Sequence, residues 1–104
     1  MNYTTRLILP AEQEMFAAAR YYELQAPGLG HDFLDKVEIA LQDLACSPER
    51  WPVVQTNIRR RLIGRFPYSL IYRIDPDEVV ILAVMHQKRH PSYWLPRRQI
   101  GVTR

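Results

Sequence analysis

The stretch IRRRLIGRFPYSLIYRIDPDEVVILAVMH, residues 58–86, determines the fold. Three runs within it, Ile58–Ile63, Tyr68–Ile74 and Val79–Met85, are rich in β-branched and aromatic residues and predict three strands. The turn residues of Gly64–Pro67 and Asp75–Asp77 separate them. Connections this short favour an antiparallel meander. The third run contains no polar residue, which is typical of a strand buried on both faces or at the centre of a sheet.

One strand and two helices are predicted before this meander. Tyr3–Leu9 is predicted to be a strand that ends at Pro10, and a helix is expected over about Ala11–Gln25. This first helix carries apolar residues at helical spacing, namely Met15, Phe16, Ala19 and Tyr22. A second, amphipathic helix follows the turn Ala26–Gly30 and ends at Ser47-Pro48. The order β-α-α-β-β-β predicts an α+β domain with a helical hairpin packed on a small, mostly antiparallel sheet.

Length and composition exclude several classes of protein. The 104 residues, 47% hydrophobic and 24% charged, fit a single folded domain over residues 1–104. The longest apolar run has seven residues, too few to span a membrane, and the N-terminal residues lack the apolar stretch of a secretory signal. We therefore expect a cytoplasmic protein. The single cysteine, Cys46, excludes an internal disulfide and a multi-cysteine zinc site, and four scattered glycines form no phosphate-binding loop, so no cofactor is expected.

Charge is distributed unevenly along the chain. Residues 1–57 carry four basic and eight acidic side chains, whereas residues 58–104 carry ten basic and three acidic ones. The net charge of the whole chain is only +3. The basic half is expected to attract phosphates or an acidic protein segment.

The basic half also carries the candidate chemical groups. Strand geometry places Arg59 and Arg61 on one face and Arg60 on the other. RNA cleavage by 2′-hydroxyl attack needs a proton acceptor, cations and an acid. The candidate cationic clamps are Arg59, Arg61, Arg65 and Arg89, and the candidates for proton transfer are His86, His90 and Tyr93. The alternative is a solvated charged face with ordinary core aromatics. His86 and His90 stand four residues apart, but Pro91 and the absence of a nearby carboxylate argue against a metal site.

A succession of short motifs resembles one known family. The motifs are Tyr21-Tyr22-Glu23, Pro27-Gly28-Leu29-Gly30 with Phe33, Pro48, Trp51-Pro52, Arg59-Arg60, Phe66-Pro67-Tyr68, Ile71-Tyr72, Ala83-Val84, His86, Arg89, Pro91 and Tyr93-Trp94. In this order they resemble the RelE/ParE toxins of bacterial type II toxin–antitoxin modules. The resemblance implies the same β-α-α-β-β-β fold and a cognate antitoxin, whose acidic segment the basic half would attract.

The family divides into two kinds of activity. RelE-like members cut messenger RNA on the ribosome, and the resemblance places Arg60 or Arg61, Arg89 and Tyr93 at functional positions of such a nuclease. The candidate catalytic residues are then Arg61, Arg89 and Tyr93, with His86 added from its proton-transfer chemistry. Ser69, however, stands where that branch carries an arginine. ParE-like members inhibit DNA gyrase, and the Tyr-Tyr-Glu, Pro-Gly-Leu-Gly and C-terminal motifs are more similar to them. Target contacts would then come from basic side chains of the second half: Arg59, Arg60, Arg65, Lys88, Arg97 and Arg98. A third possibility is a binding module without toxicity.

Overall fold

The structure, a computed structural model, describes residues 2–100 and has the predicted α+β architecture. Residues 101–104 of the predicted domain lie outside the described range. Its helices are α1 (Leu9–Gln25) and α2 (Leu29–Cys46), with 3₁₀ segments at Pro48–Arg50 and Pro91–Gln99. Its strands are β1 (Thr4–Leu7), β2 (Val53–Gln55), β3 (Ile58–Leu62), β4 (Tyr68–Ile74) and β5 (Glu78–His86). None of the helices described is long and apolar enough to cross a membrane.

The five strands form one sheet in the order β1-β5-β4-β3-β2. The meander β3-β4-β5 is antiparallel, as predicted, and β1 pairs in parallel with β5. All residues of β5 between Val79 and Met85 are buried, which confirms the interpretation of this run as an inner strand. Leu82 interrupts the register of β5 against β4, because Ile71 pairs with Ala83 and Tyr72 pairs with Ile81.

The structure differs from the predicted elements at three places. β2 was not predicted, because it has only three residues and all of them are exposed. The 3₁₀ segment Pro91–Gln99, called here the C-terminal segment, was also missed, since its prolines oppose a regular helix. Helix α1 begins at Leu9, two residues before the predicted Ala11, because Pro10 fits the first helical turn, and β1 therefore covers only Thr4–Leu7 rather than the predicted Tyr3–Leu9.

The helical hairpin packs on one face of the sheet through a cluster of aromatic rings. Phe33 of α2 lies 5.2 Å from Tyr68 of β4 and 5.2 Å from Phe66, measured between ring centroids. Tyr22 of α1 joins them, 4.8 Å from Phe66. These pairs are edge-on, the arrangement that aromatic quadrupoles favour. Tyr68 and Tyr72 therefore help to fill the core beneath the helices.

Helix α1 is apolar on two opposite sides. Ala11, Ala18 and Ala19 are buried against the rest of the fold. Phe16, which the helical spacing grouped with Met15 and Ala19, instead points to solvent and is 54% exposed. The small inner residues let α1 approach its neighbours closely, and the large apolar ones remain outside.

Buried tyrosines should make the protein sensitive to alkaline pH. Tyr72 is fully buried, its hydroxyl donates to the Pro48 carbonyl at 2.6 Å, and burial raises its pKa to about 12. Above pH 10 the unfolded chain loses this proton while the folded chain keeps it, so the free energy of unfolding should fall by up to about 1.4 kcal/mol per pH unit toward pH 12.

Urea unfolding between pH 8 and pH 11 would measure this slope. Tyr72→Phe should be less stable at neutral pH but should lose less stability as the pH rises. Tyr21→Phe, which removes an exposed tyrosine, serves as the control and should keep the slope of the original chain. Equal slopes for all three proteins would contradict the assignment to Tyr72.

Candidate functional site

A cleft of about 270 Å³ lies between α1 and the C-terminal end of β5. Three predicted site residues meet there: His86 at the end of β5, Arg89 in the following turn and Tyr93 in the C-terminal segment. The remaining lining residues are Glu14, Ala17, Ala18 and Tyr21 of α1, Tyr68 of β4 and Val84 of β5. The cleft is therefore built from α1, strands β4 and β5 with the turn after β5, and the C-terminal segment.

Tyr93 is held between two arginines in the wall of the cleft. The Arg89 guanidinium lies 3.8 Å from the centroid of the Tyr93 ring, and that of Arg97 lies 5.0 Å away. The Tyr93 hydroxyl is buried without a hydrogen-bond partner among the described residues. Burial, followed by the negative charge of Glu14, raises the pKa of Tyr93. This phenol stays protonated at neutral pH and is unsuited to act as a base.

Glu14 connects α1, β5 and the C-terminal segment. Its Oε1 accepts hydrogen bonds from the Val84 N–H at 3.1 Å and from Arg97 Nη1 at 3.0 Å. Arg97 Nη1 also donates to the Leu82 carbonyl at 3.1 Å. Because β1 ends at Leu7, opposite Ile81, these two charged side chains satisfy backbone groups of β5 that no strand pairs. The carboxylate is thus committed to structure.

His86 lines the cleft, and one of its ring nitrogens is already hydrogen-bonded. Its Nδ1 accepts the Lys88 backbone N–H at 3.0 Å, so the proton of the neutral ring sits on Nε2. The ring also stands edge-on to Tyr68, with centroids 5.0 Å apart. Arg89 is exposed, and its guanidinium makes no hydrogen bond to the described residues, although its backbone N–H donates to the His86 carbonyl at 3.0 Å. The cleft therefore offers one uncommitted guanidinium and one imidazole N–H to an acidic or acceptor group.

Two arginines of β3 lie outside the cleft and bind other parts of the chain. Arg61, with a side chain 15% exposed, pairs with Asp43 of α2 and lies 5.1 Å from the Trp51 ring centroid. Arg59 Nη1 donates to the carbonyls of Trp51 at 2.7 Å and Glu49 at 3.1 Å. They share one sheet face, as strand alternation predicted, but neither lines the cleft.

The other predicted basic residues are dispersed. Arg60 is exposed and lines a separate cavity with Ile71, Met85 and Trp94. Arg65, in a left-handed conformation, faces Asp32 at 3.5 Å. Lys88 and Arg98 are exposed, and Arg98 Nη1 donates to the Leu95 carbonyl at 3.1 Å.

The histidine pair does not form a metal site. His86 ends β5, whereas His90 Nδ1 accepts the Ser92 N–H at the start of the C-terminal segment. Across residues 2–100, no three histidine, cysteine or acidic side chains come together as metal ligands would. The two rings have separate structural partners.

Sequence reasoning missed the α1 side of the cleft. Glu14 was not among the candidate residues, and Tyr21 appeared only in a family motif. Both lie on the side of α1 that turns toward β5 and the C-terminal segment. The available signal was a charged residue among apolar ones at helical spacing, in Glu14, Met15 and Ala18. What it faces depends on how α1 docks.

Two solved structures with a similar fold come from toxin–antitoxin systems. The structure is similar to a chain of the chromosomal ParDE system from P. aeruginosa, with a TM-score of 0.59, 16% identity, and coverage of 81% of this chain and 95% of that chain. It is also similar to a chain of the toxin–antitoxin complex RelBE2 from Mycobacterium tuberculosis, with a TM-score of 0.56 and 28% identity. That match covers 83% of this chain and 99% of the other chain. No protein of curated function is significantly similar in sequence.

The family itself follows from the sequence of the whole domain. Residues 7–91 match the family described as the ParE toxin of the type II toxin–antitoxin system parDE. The match runs from the end of β1 to the first residue of the C-terminal segment, so it includes both helices, the meander and every cleft-lining residue except Tyr93. The chain therefore belongs to the ParE toxin family of type II toxin–antitoxin systems.

Proposed function

We propose that this toxin acts by binding its target, DNA gyrase, and that the cleft of His86 and Arg89 is part of the contact surface. The observation that carries the proposal is that His86, Arg89 and Tyr93 share the cleft but Arg61 lies outside it, and of these four predicted nuclease groups only the Arg89 guanidinium is uncommitted. Arg61 is engaged by Asp43, the Tyr93 hydroxyl is buried, and His86 Nδ1 is occupied by a backbone N–H. The target itself comes from the similarity to ParE toxins.

The chemistry of the cleft suits recognition of an acidic surface. Arg89 stacks on Tyr93, which fixes the guanidinium plane while leaving its donors free. Tyr21, more than half exposed, adds an aromatic wall. An arginine beside aromatic rings is the kind of group that dominates binding energy at protein interfaces.

A cognate antitoxin is the second partner of this proposal. Both similar structures belong to toxin–antitoxin systems. The ten basic side chains of residues 58–104 would attract an acidic segment of the antitoxin and accelerate its association. An antitoxin that covers Arg89 would neutralise the toxin by preventing the target from reaching the cleft.

A supercoiling assay tests the gyrase proposal. The purified chain should inhibit the supercoiling of relaxed plasmid by gyrase, and Arg89→Gln should require at least about tenfold more protein, since one such contact contributes about 1.4 kcal/mol. Arg6→Gln is the matched control, because Arg6 is an exposed arginine of β1, outside the cleft, that pairs with Glu78 of β5. It should inhibit within twofold of the original chain. Unchanged supercoiling at concentrations that arrest growth would refute the proposal.

Messenger RNA cleavage is the second candidate, because His86 and Arg89 do share one cleft. It predicts new transcript ends within coding regions after induction of the toxin without antitoxin. Arg89→Gln should then abolish those ends while leaving the fold intact. Growth arrest with intact transcripts and a DNA-damage response supports gyrase binding instead. Harmless expression would indicate a module without toxicity.

A further inference from the structure

The outer side of α1 carries an apolar stripe that nothing in the described chain covers. It consists of exposed residues that share one side of the helix: Leu9, Gln13, Phe16, Ala17, Arg20 and Leu24. Leu9 is 63% exposed, Phe16 54% and Leu24 78%. A solvent-facing side of a surface helix is normally polar, so a stripe with three large apolar residues indicates an interaction surface.

The order of side chains along the stripe is self-complementary. If two copies of α1 pack antiparallel about a twofold axis between Phe16 and Ala17, each large Phe16 faces the small Ala17 of the other copy. The same axis brings Leu9 opposite Leu24. It also brings the Gln13 amide oxygen opposite the guanidinium of Arg20. Such reciprocal matching is what an isologous interface requires, and a knob facing a small residue lets two helices approach closely.

We propose that a second copy of this chain occupies the stripe, so that the free toxin is an antiparallel α1–α1 homodimer. The reciprocal order of the stripe supports this occupant, and Arg20 supports the antiparallel arrangement, because the twofold axis keeps the two Arg20 side chains apart and gives each one a glutamine partner. A parallel pairing would instead place Arg20 against Arg20, which like charge disfavours. A single helix pair is at the small end of protein interfaces, so we expect a dissociation constant on the order of 10 µM.

The dimer would also limit access to the cleft. Ala17 and Tyr21 line the groove along the stripe and the cleft of Arg89 at the same time. A second copy on α1 would therefore cover one side of the cleft entrance. A partner that needs the whole cleft would compete with dimerisation.

Sedimentation equilibrium of the purified chain from 1 to 200 µM is the first test. The original chain should change from monomer to dimer over this range, and Phe16→Glu should shift the midpoint upward at least tenfold. Ile39→Glu is the matched control, since Ile39 is 49% exposed on α2, outside the stripe, and should leave the midpoint unchanged. Circular dichroism would establish that both variants are folded. A chain that stays monomeric at 200 µM overturns the proposal.

Cysteine cross-linking determines the orientation. In a Cys46→Ser background, Ala17→Cys lies beside the proposed axis and should form a disulfide-linked dimer. Leu24→Cys should not, because its two copies would be about 22 Å apart along the helices. Cross-linking at position 24 instead of 17 would overturn the antiparallel arrangement. If the chain is monomeric but Phe16→Glu prevents antitoxin binding, the stripe belongs to the antitoxin and the proposal is wrong, whereas the gyrase assay is unaffected.

Discussion

Replacing Gly30 by alanine should destabilise the fold by about 2–4 kcal/mol. Gly30 lies in the first turn of α2, where the hairpin helices touch, and a Cβ at this position would be 2.3 Å from the Ala19 carbonyl oxygen and 3.0 Å from Glu23 Cβ. The carbonyl is backbone and cannot rotate away. The two helices would have to separate, although alanine itself favours a helix by about 1 kcal/mol over glycine.

Separation would also break the cap of α2. The Glu23 carboxylate accepts the N–H of Gly28 at 2.9 Å and that of Gly30 at 3.1 Å, which satisfies donors that a helix start leaves free. Glu23, just before the turn, therefore acts together with Gly28 and Gly30 within it.

Urea denaturation of three glycine variants would measure the effect. Gly64→Ala is the matched control, because a Cβ there has no atom within 4 Å, and it should change stability by less than about 0.5 kcal/mol. Gly28→Ala should be intermediate, at about 1 kcal/mol, since Gly28 has φ of +87° but open space around it. A Gly30→Ala protein as stable as Gly64→Ala would show that the close approach is not restrictive.

Removing the carboxylate of Glu14 should cost about 3 kcal/mol. The side chains of Glu14 and Arg97 are each 18% exposed, so Glu14→Ala leaves a largely buried guanidinium without its anion and the Val84 N–H without an acceptor. For a domain of this length the melting temperature should fall by about 15 °C. The C-terminal segment should also become more mobile, because the Glu14–Arg97 ion pair connects it to α1.

Thermal unfolding and amide hydrogen exchange would test this prediction. Glu12→Ala removes the same charge from the exposed side of the same helix and should cost less than about 1 kcal/mol. Glu14→Gln keeps an acceptor for Val84 and should fall between the two. Faster exchange at Tyr93 is expected only for the Glu14 variants. If Glu14→Ala and Glu12→Ala behave alike, the network does not hold the segment.

Local sequence determined most of the elements. Tyr68–Ile74 was predicted with its observed bounds, and the other two meander strands to within one residue at each end, because β-branched runs between strong turn residues leave little choice. The turn with Gly28 and Gly30 likewise required a hairpin. β2 and the C-terminal segment carry no such pattern, since a short exposed strand and a proline-rich 3₁₀ segment form only against the rest of the sheet.

The chemical groups that the protein carries, its uneven charge and the order of its elements can all be read from the amino-acid sequence. Which of those groups meet depends on how the elements pack. The sequence predicted the same role, a cationic clamp, for Arg61 and Arg89. In the structure Arg61 forms an ion pair with Asp43 of α2, whereas Arg89, in the turn after β5, stays exposed beside Tyr93. Glu14 meets Arg97 across 83 residues. Helical and strand periodicity describe neighbours along one element, and contacts between elements depend on how their faces dock.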